Sequence, residues 1–245
     1  MTRPARRFPV LRLGKILFVF LFFVSLASAC DSTGAPQVVT IKQPFSDQES
    51  LAYNLVDTDG AKIGTAAVSI QRQGDGLVLT QDYADFQNHV DNRSVVVDRA
   101  TLKPQSAHHQ IDDGKTQSAT DTTYSGDTVS TVAGNGRKHQ TKVNAGSYDD
   151  GEVFFLMRTI DFNQGYTVQF ADVVVANDGT INRAAAVLRV NGTTNISVGG
   201  KSFKAWEVQL TAAGATSTAW YEPGPDRRML RYANSRQTAI ELANP

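Results

Sequence analysis

The four histidines are the residues of this sequence best suited to metal binding or acid–base chemistry. They are His89, His108, His109 and His139. If His108 and His109 lie on a strand, their side chains point to opposite faces and cannot bind one metal together. Because the chain also has a single cysteine, we predict no metal centre.

A search for catalytic motifs gives no stronger indication of an enzymatic activity. The sequence contains no Walker A loop, HExxH helix, GxSxG elbow or EF-hand loop. Residues 57–60 (DTDG) begin like a calcium loop but lack its later ligands, so we interpret them as a hairpin turn. We predict no catalytic residue and no cofactor. An acidic residue that folding brings next to a histidine would still permit a hydrolase of envelope polymers.

Cys30 follows a stretch with the pattern of a secretory signal peptide. Five basic residues precede the first acidic residue, and the 14 residues 16–29 form an apolar run. As a helix this run would measure about 21 Å, which is shorter than the roughly 30 Å hydrocarbon core of a membrane. The pattern therefore predicts a signal peptide over residues 1–29.

The residues before Cys30 resemble a bacterial lipobox, the sequence that the lipoprotein signal peptidase cleaves. They are Leu26, Ala27, Ser28 and Ala29. The resemblance implies that Cys30, acylated with chains such as palmitate, is the first residue of an exported protein. This protein would be anchored in a membrane and face the periplasm or the cell exterior. The alternative is an ordinary signal peptide that ends near a free or buried thiol.

The balance of charge argues against nucleic acid as a partner. The chain has 24 basic and 24 acidic residues, and loss of the five N-terminal basic residues leaves 19 basic against 24 acidic ones. The mature chain is therefore mildly acidic, whereas binding to a phosphate backbone needs a concentrated basic surface.

Two segments follow the predicted signal peptide. Residues 30–50 are small and polar with two prolines, which is typical of a lipidated N-terminus and a flexible tether. Residues 51–245 are predicted to form one β-rich domain, because apolar runs alternate with turn dipeptides. The dipeptides are Asp59-Gly60, Asp75-Gly76, Asp113-Gly114, Asn135-Gly136, Asp178-Gly179, Asn191-Gly192 and Gly199-Gly200.

The predicted fold is all-β. It is a strongly curved antiparallel meander, a half-barrel or roll, with one helix packed on its concave face. The predicted strands include residues 51–57, 66–72, 77–86, 94–98, 166–176 and 183–190. The helix is predicted over residues 152–162, where apolar residues recur with the spacing of one helical face. The polar region 105–146 is predicted to form edge hairpins that are exposed on both faces.

Aromatic residues give the only further indication of a site. Aromatic side chains with a polar group suit the mouth of a ligand cavity, although the same residues commonly form a core. The candidate lining of an apolar cavity consists of Tyr83, Phe154, Phe155, Met157, Phe170, Trp206 and Trp220.

Three stretches resemble the bacterial family catalogued as domain of unknown function 3108. They are residues 51–55 with 63–66, residues 153–162 followed by Gly165, and residues 200–208 with 218–221. The resemblance covers most of residues 51–242 and implies an exported or lipid-anchored β-rich protein. Its curved sheet and helix are similar to the half-barrels of lipoprotein carriers. The resemblance implies no activity and no site residue.

Two functions from different classes are compatible with these features. The leading hypothesis is a lipoprotein without catalysis that holds an apolar ligand, such as a lipid or acyl chain, or docks an envelope protein along a sheet edge. The alternative is a structural or protein-interaction module whose core the helix fills. A cavity would favour ligand binding, and an exposed unpaired strand in region 105–146 would favour the interaction module.

Overall fold

A computed structural model describes residues 37–42, 45–235 and 238–245 of the chain. In chain order, its elements are β1 (Gln48–Val56), β2 (Lys62–Gln73), β3 (Gly76–Asp85), β4 (Val90–Asp98), β5 (Pro104–Asp112), β6 (Gln117–Ser125), β7 (Thr128–Ala133), β8 (Lys138–Lys142), β9 (Tyr148–Asp149), α1 (Asp150–Thr159), β10 (Thr167–Val175), β11 (Ile181–Val198), β12 (Lys201–Ala212), β13 (Ala215–Tyr221), β14 (Met229–Ala233) and β15 (Ala239–Leu242). Cys30 and the predicted signal peptide lie outside the described residues.

The strands form one sheet whose two edges come from the middle of the chain. Strands β1 to β8 pair in chain order, strands β15 to β9 pair in reverse chain order, and β1 pairs with β15. Among the described strands, only the two-residue β9 runs parallel to its neighbour, β10. Strands β8 and β9 are the edges, and no described backbone ladder joins them. The predicted all-β antiparallel meander is confirmed as a large, open, rolled sheet.

Helix α1 lies on the concave face, as predicted, but it starts and ends earlier than the apolar pattern indicates. A capping box fixes its start. The Asp149 carboxylate accepts a hydrogen bond from the Gly151 N–H at 2.8 Å, and Glu152 accepts one from the Asp149 N–H at 2.9 Å. Asp149 is therefore the N-cap, and the first turn includes Asp150 and Gly151, which precede the predicted start at residue 152.

The helix is covered around its whole circumference. Every residue of α1 except Asp150 and Arg158 is buried, and the helix contacts β3, β4, β9, β10 and β12. The prediction of a single apolar face is therefore incomplete, because strands of the roll contact the helix on all sides and not on one face only. Glu152 and Thr159 are buried together with the apolar residues.

The predicted turns lie at connections between strands, with the exception of Asn191-Gly192. This dipeptide lies inside β11, which continues for 18 residues. The ladder with β12 changes register between Val190 and Gly192, and Gly192 has a φ of 119°. A Cβ at this position would lie 3.1 Å from Cδ of Gln164. The glycine therefore forms a β-bulge, which needs the same backbone freedom as a tight turn.

The polar hairpins of region 105–146 form one edge of the sheet, but one of their faces is covered. Val129 of β7 and Val173 of β10 are buried in the same small apolar cluster. The hydroxyl of Thr131 donates to the carbonyl of Gly179 at 2.6 Å across the gap between the two ends of the sheet. The prediction of exposure on both faces is wrong here, because the roll brings the β10–β11 hairpin over β6 and β7.

Part of the predicted tether packs on the domain. Val39 and Phe45 are buried, and the ring of Phe45 meets that of Phe155 edge-to-face with centroids 6.2 Å apart. Strand β1 begins at Gln48. The folded domain therefore includes residues before the predicted boundary at residue 51, since these apolar side chains complete its core.

Candidate functional site

A cavity of about 270 Å³ lies between the N-terminal half of α1 and the concave face of the sheet. Strands β3 and β4 bound it on one side, and β12 to β15 with the end of β1 bound it on the other. Ala213 and Ser235, which lie in two hairpin turns of its lining, are exposed. The cavity therefore opens at the end of the roll where these turns lie.

One wall of the cavity is apolar. Leu55 and Ile240 are paired neighbours on β1 and β15, and both are buried. Phe154 of α1 packs edge-to-face on the ring of Tyr232, with centroids 5.0 Å apart. Such a surface suits an alkyl chain or a small ring.

Another part of the cavity wall carries three charged side chains. Nη1 of Arg93 donates to Oδ2 of Asp150 at 2.7 Å, and Nε of Arg93 donates to Oδ1 of Asp91 at 3.4 Å. The Arg93 side chain is 19% exposed and the Asp91 side chain 7%. Because α1 supplies Asp150 and β4 supplies its partner, this ion pair ties the helix to the sheet.

Gln81 and Tyr83 hold the start of α1 beside this wall. Nε2 of Gln81 donates to the carbonyl of Gly151 at 2.6 Å, and the Tyr83 hydroxyl donates to Oε1 of Gln81 at 2.9 Å. Both side chains enter the roll because alternate residues of β3 share a face. Burial raises the pKa of Tyr83, so its hydroxyl stays a neutral donor.

His109 extends the charged group behind Asp91. With Asp91 ionised, the His109 Nε2–H donates to Oδ1 at 2.9 Å. Burial and the charge of Arg93 lower the pKa of His109, so its ring is neutral at pH 7. Burial opposes ionisation of Asp91, but the charge of Arg93 and the His109 hydrogen bond hold the pKa of Asp91 below its usual value. Asp91 is therefore a carboxylate at pH 7.

A second group of acids lies deeper, at the start of α1. Asp149, Glu152 and Asp172 are buried, and the Tyr124 hydroxyl donates to Asp149 at 2.5 Å. Oε2 of Glu152 and both carboxyl oxygens of Asp172 have no hydrogen-bond partner among the described residues. Burial raises the pKa of Asp149 to about 6, and it raises the pKa values of Glu152 and Asp172 well above their usual range.

Within the described ranges, no three histidine, cysteine, aspartate or glutamate side chains are placed to hold a metal ion. The same residues include no helix with the length and apolar character needed to cross a membrane.

The structure brings two of the predicted lining residues to this cavity, Tyr83 and Phe154. Phe155, Met157 and Phe170 lie in the packed core, and each is at most 2% exposed. These three side chains fill the space around α1 instead of lining the cavity.

The two tryptophans of the predicted lining lie away from the cavity. The ring of Trp206 packs on Phe162 with centroids 5.9 Å apart. Nε1 of Trp220 donates to Glu207 at 3.1 Å. In the described structure, Trp206 therefore packs on the segment that follows α1, and Trp220 bonds to the neighbouring strand β12.

The three charged residues of the cavity were not predicted from the sequence. A signal for two of them is present on β4, where Asp91 and Arg93 occupy the same face as the buried Val95 and Val97. Charged residues on the apolar face of a strand indicate a buried ion pair or a site. No local signal marks Asp150, since its partner lies 57 residues away in the chain.

One protein-family model covers most of the folded domain. The family model described as "Protein of unknown function (DUF3108)" matches residues 50–237. The chain belongs to the DUF3108 family. The resemblance seen in the sequence is thereby confirmed. Among curated proteins, none matches this DUF3108 chain.

One solved structure supports the fold of this DUF3108 domain. It is similar to a crystal structure of a β-barrel-like protein of domain of unknown function DUF1849 from Brucella abortus, with a TM-score of 0.51, 9% identity and coverage of 82% of this chain and 96% of that chain. A protein with a YmcC-like fold from Bacteroides fragilis NCTC 9343 gives a TM-score of 0.32 at 10% identity, over 82% of this chain and 97% of that chain. The Brucella structure therefore supports the fold, and it says nothing about activity.

Proposed function

We propose that this protein is an exported lipoprotein, anchored through Cys30, whose domain binds an apolar small molecule or one end of an acyl chain. The observation that carries ligand binding is the cavity beside α1, because it combines an apolar wall with a few fixed polar groups. This combination is typical of small-molecule sites. The signal-peptide and lipobox patterns support the proposed location.

The size of the cavity limits the ligand. Its volume of about 270 Å³ lies just below the range of roughly 300–1,000 Å³ that is usual for ligand pockets. Helix α1 occupies the rest of the roll's interior. A short chain, a small ring or the end of a longer acyl chain would fit, with the remainder of the molecule outside.

The packed helix is compatible with the alternative function, a protein-interaction module with a filled core, but the edge of the sheet argues against it. The edge strand β8 is the obvious docking edge, and Lys138 and Lys142 are exposed on it. Lysines on an edge strand oppose pairing with another chain. The chemistry of this edge therefore disfavours docking of an envelope protein by strand addition, and ligand binding is the better-supported function.

A hydrolase is less well supported than ligand binding. Asp91 and His109 form a hydrogen-bonded pair, but His109 does not line the cavity and its Nε2 is directed at the carboxylate. A general base has to reach the substrate within hydrogen-bonding distance. The pair therefore contributes to the charged wall instead of providing a catalytic base.

Ala212→Trp is expected to abolish ligand binding. Ala212 lines the cavity at the end of β12, so an indole would occupy the apolar space. Native mass spectrometry of the full chain, purified from membranes in mild detergent, should show a non-covalent acyl-bearing molecule on the wild type. The same molecule should fall to background on Ala212→Trp.

Ala185→Trp is the matched control, because Ala185 is exposed on β11. It should retain the ligand, and both variants should keep the far-ultraviolet dichroism of a β protein. Wild-type protein that carries only its covalent modifications would contradict the proposal.

Cys30→Ser is expected to abolish acylation of the mature N-terminus. A serine offers no thiol for acylation, so the anchor is lost. Mass spectrometry of the N-terminal peptide should show acyl groups on the wild type and none on the variant. Ser32→Ala is the control and should remain acylated. An unmodified Cys30 in the wild type would contradict the anchor.

A further inference from the structure

The charges that face the cavity do not balance. Among the described lining residues, the charged side chains are Asp91, Arg93 and Asp150. One guanidinium thus faces two carboxylates, and the neutral ring of His109 adds no charge at pH 7. The cavity wall carries an excess of one negative charge.

Asp150 is the more accessible of the two carboxylates. Asp91 accepts hydrogen bonds from both Arg93 and His109, whereas Asp150 accepts from Arg93 through Oδ2. The Asp150 side chain is 22% exposed, compared with 7% for Asp91. Asp150 is therefore the carboxylate that an incoming ligand can reach.

The N-terminus of α1 does not make the cavity favourable for an anionic group. The N-terminus of a helix favours a negative charge, but the capping box of α1 already places the Asp149 and Glu152 side chains on its first backbone N–H groups. Arg93 is likewise committed to the two aspartates. An anionic headgroup would meet a wall with net negative charge and no uncommitted cation among the described lining residues.

We propose that the cavity selects amphiphiles with a primary ammonium head, which pairs with Asp150 while the alkyl chain packs against Phe154, Leu55 and Ile240. This inference rests on the proposed ligand-binding function. A charged hydrogen bond to a half-buried carboxylate is stronger than one to a neutral group. A carboxylate or phosphate on the same chain is disfavoured by like charge.

Three six-carbon probes of equal length test this selection: hexylammonium, hexanol and hexanoate. Binding is measured by titration calorimetry on the full chain in nanodiscs at pH 7, with empty nanodiscs as the blank. Hexylammonium is expected to bind at least about tenfold more tightly than hexanoate. In Asp150→Asn, the difference between these two probes should disappear.

The affinity for hexanol shows whether the variant retains its cavity. The hexanol affinity should be the same in the wild type, in Asp150→Asn and in the control Asp75→Asn, whose side chain lies in an exposed turn. Asp75→Asn should also keep the preference for hexylammonium over hexanoate. If the wild type binds hexanoate as tightly as hexylammonium, the selection is overturned and ligand binding stands. If none of the three probes binds, both proposals fail.

Discussion

Methionine in place of Arg93 is expected to lower the free energy of unfolding by about 3–5 kcal/mol. The guanidinium lies 2.7 Å from Asp150 and 3.4 Å from Asp91, and its side chain is 19% exposed. Its removal leaves the carboxylates of Asp91 and Asp150 on an inner wall without their shared cation. Denaturant unfolding at pH 7 measures the loss.

Arg72→Met provides the matched control. Arg72 pairs with Asp47 at 3.3 Å, but its side chain is 51% exposed, so the expected cost is at most about 1 kcal/mol. Adding Asp91→Asn and Asp150→Asn to Arg93→Met should recover most of the lost stability, because no unpaired charge then remains. Equal losses for the two arginine variants would refute a central role for the buried ion pair.

The strands could be predicted because their signals are local. In residues 77–86, Leu77, Leu79 and Tyr83 lie on one face while Thr80 and Asp82 lie on the other, and the structure buries both leucines inside the roll. The glycine-containing dipeptides marked the connections for the same reason, since a tight turn depends on a few adjacent residues. Asn191-Gly192 became a bulge because a bulge and a turn need the same backbone conformation.

The pairing that joins the two halves of the sheet could not be predicted, because it depends on residues far apart in the chain. Tyr53 of β1 pairs with Leu242 of β15, and this contact joins the two halves of the sheet. The cavity depends on contacts of the same long range, such as those between Phe154 and Tyr232 and between Arg93 and Asp150. No periodic pattern within one strand contains that information.

The buried carboxyl groups of the core are expected to make the protein less stable as the pH rises from 4 to 7. The folded state keeps protons on Asp149, Glu152 and Asp172 that the unfolded chain releases near pH 4. Stability from these protons is complete below pH 4 and is lost as the pH rises through the folded pKa values. For Asp149 alone, a rise in pKa from 3.8 to about 6 corresponds to about 3 kcal/mol.

Asp172→Asn isolates this effect from the other titrating groups. The lowered pKa of His109 makes stability rise with pH near pH 6.5, but it acts equally on wild type and variant. The variant lacks the buried acid at position 172 and therefore also the repulsion between Asp172 and Glu152. The stability of the variant relative to wild type should therefore grow by about 1–3 kcal/mol between pH 5 and pH 7.5. Urea unfolding at each pH measures this difference, and Asp75→Asn in an exposed turn should follow the wild type. Parallel pH profiles for Asp172→Asn and wild type would show that Asp172 does not hold its proton in the folded protein.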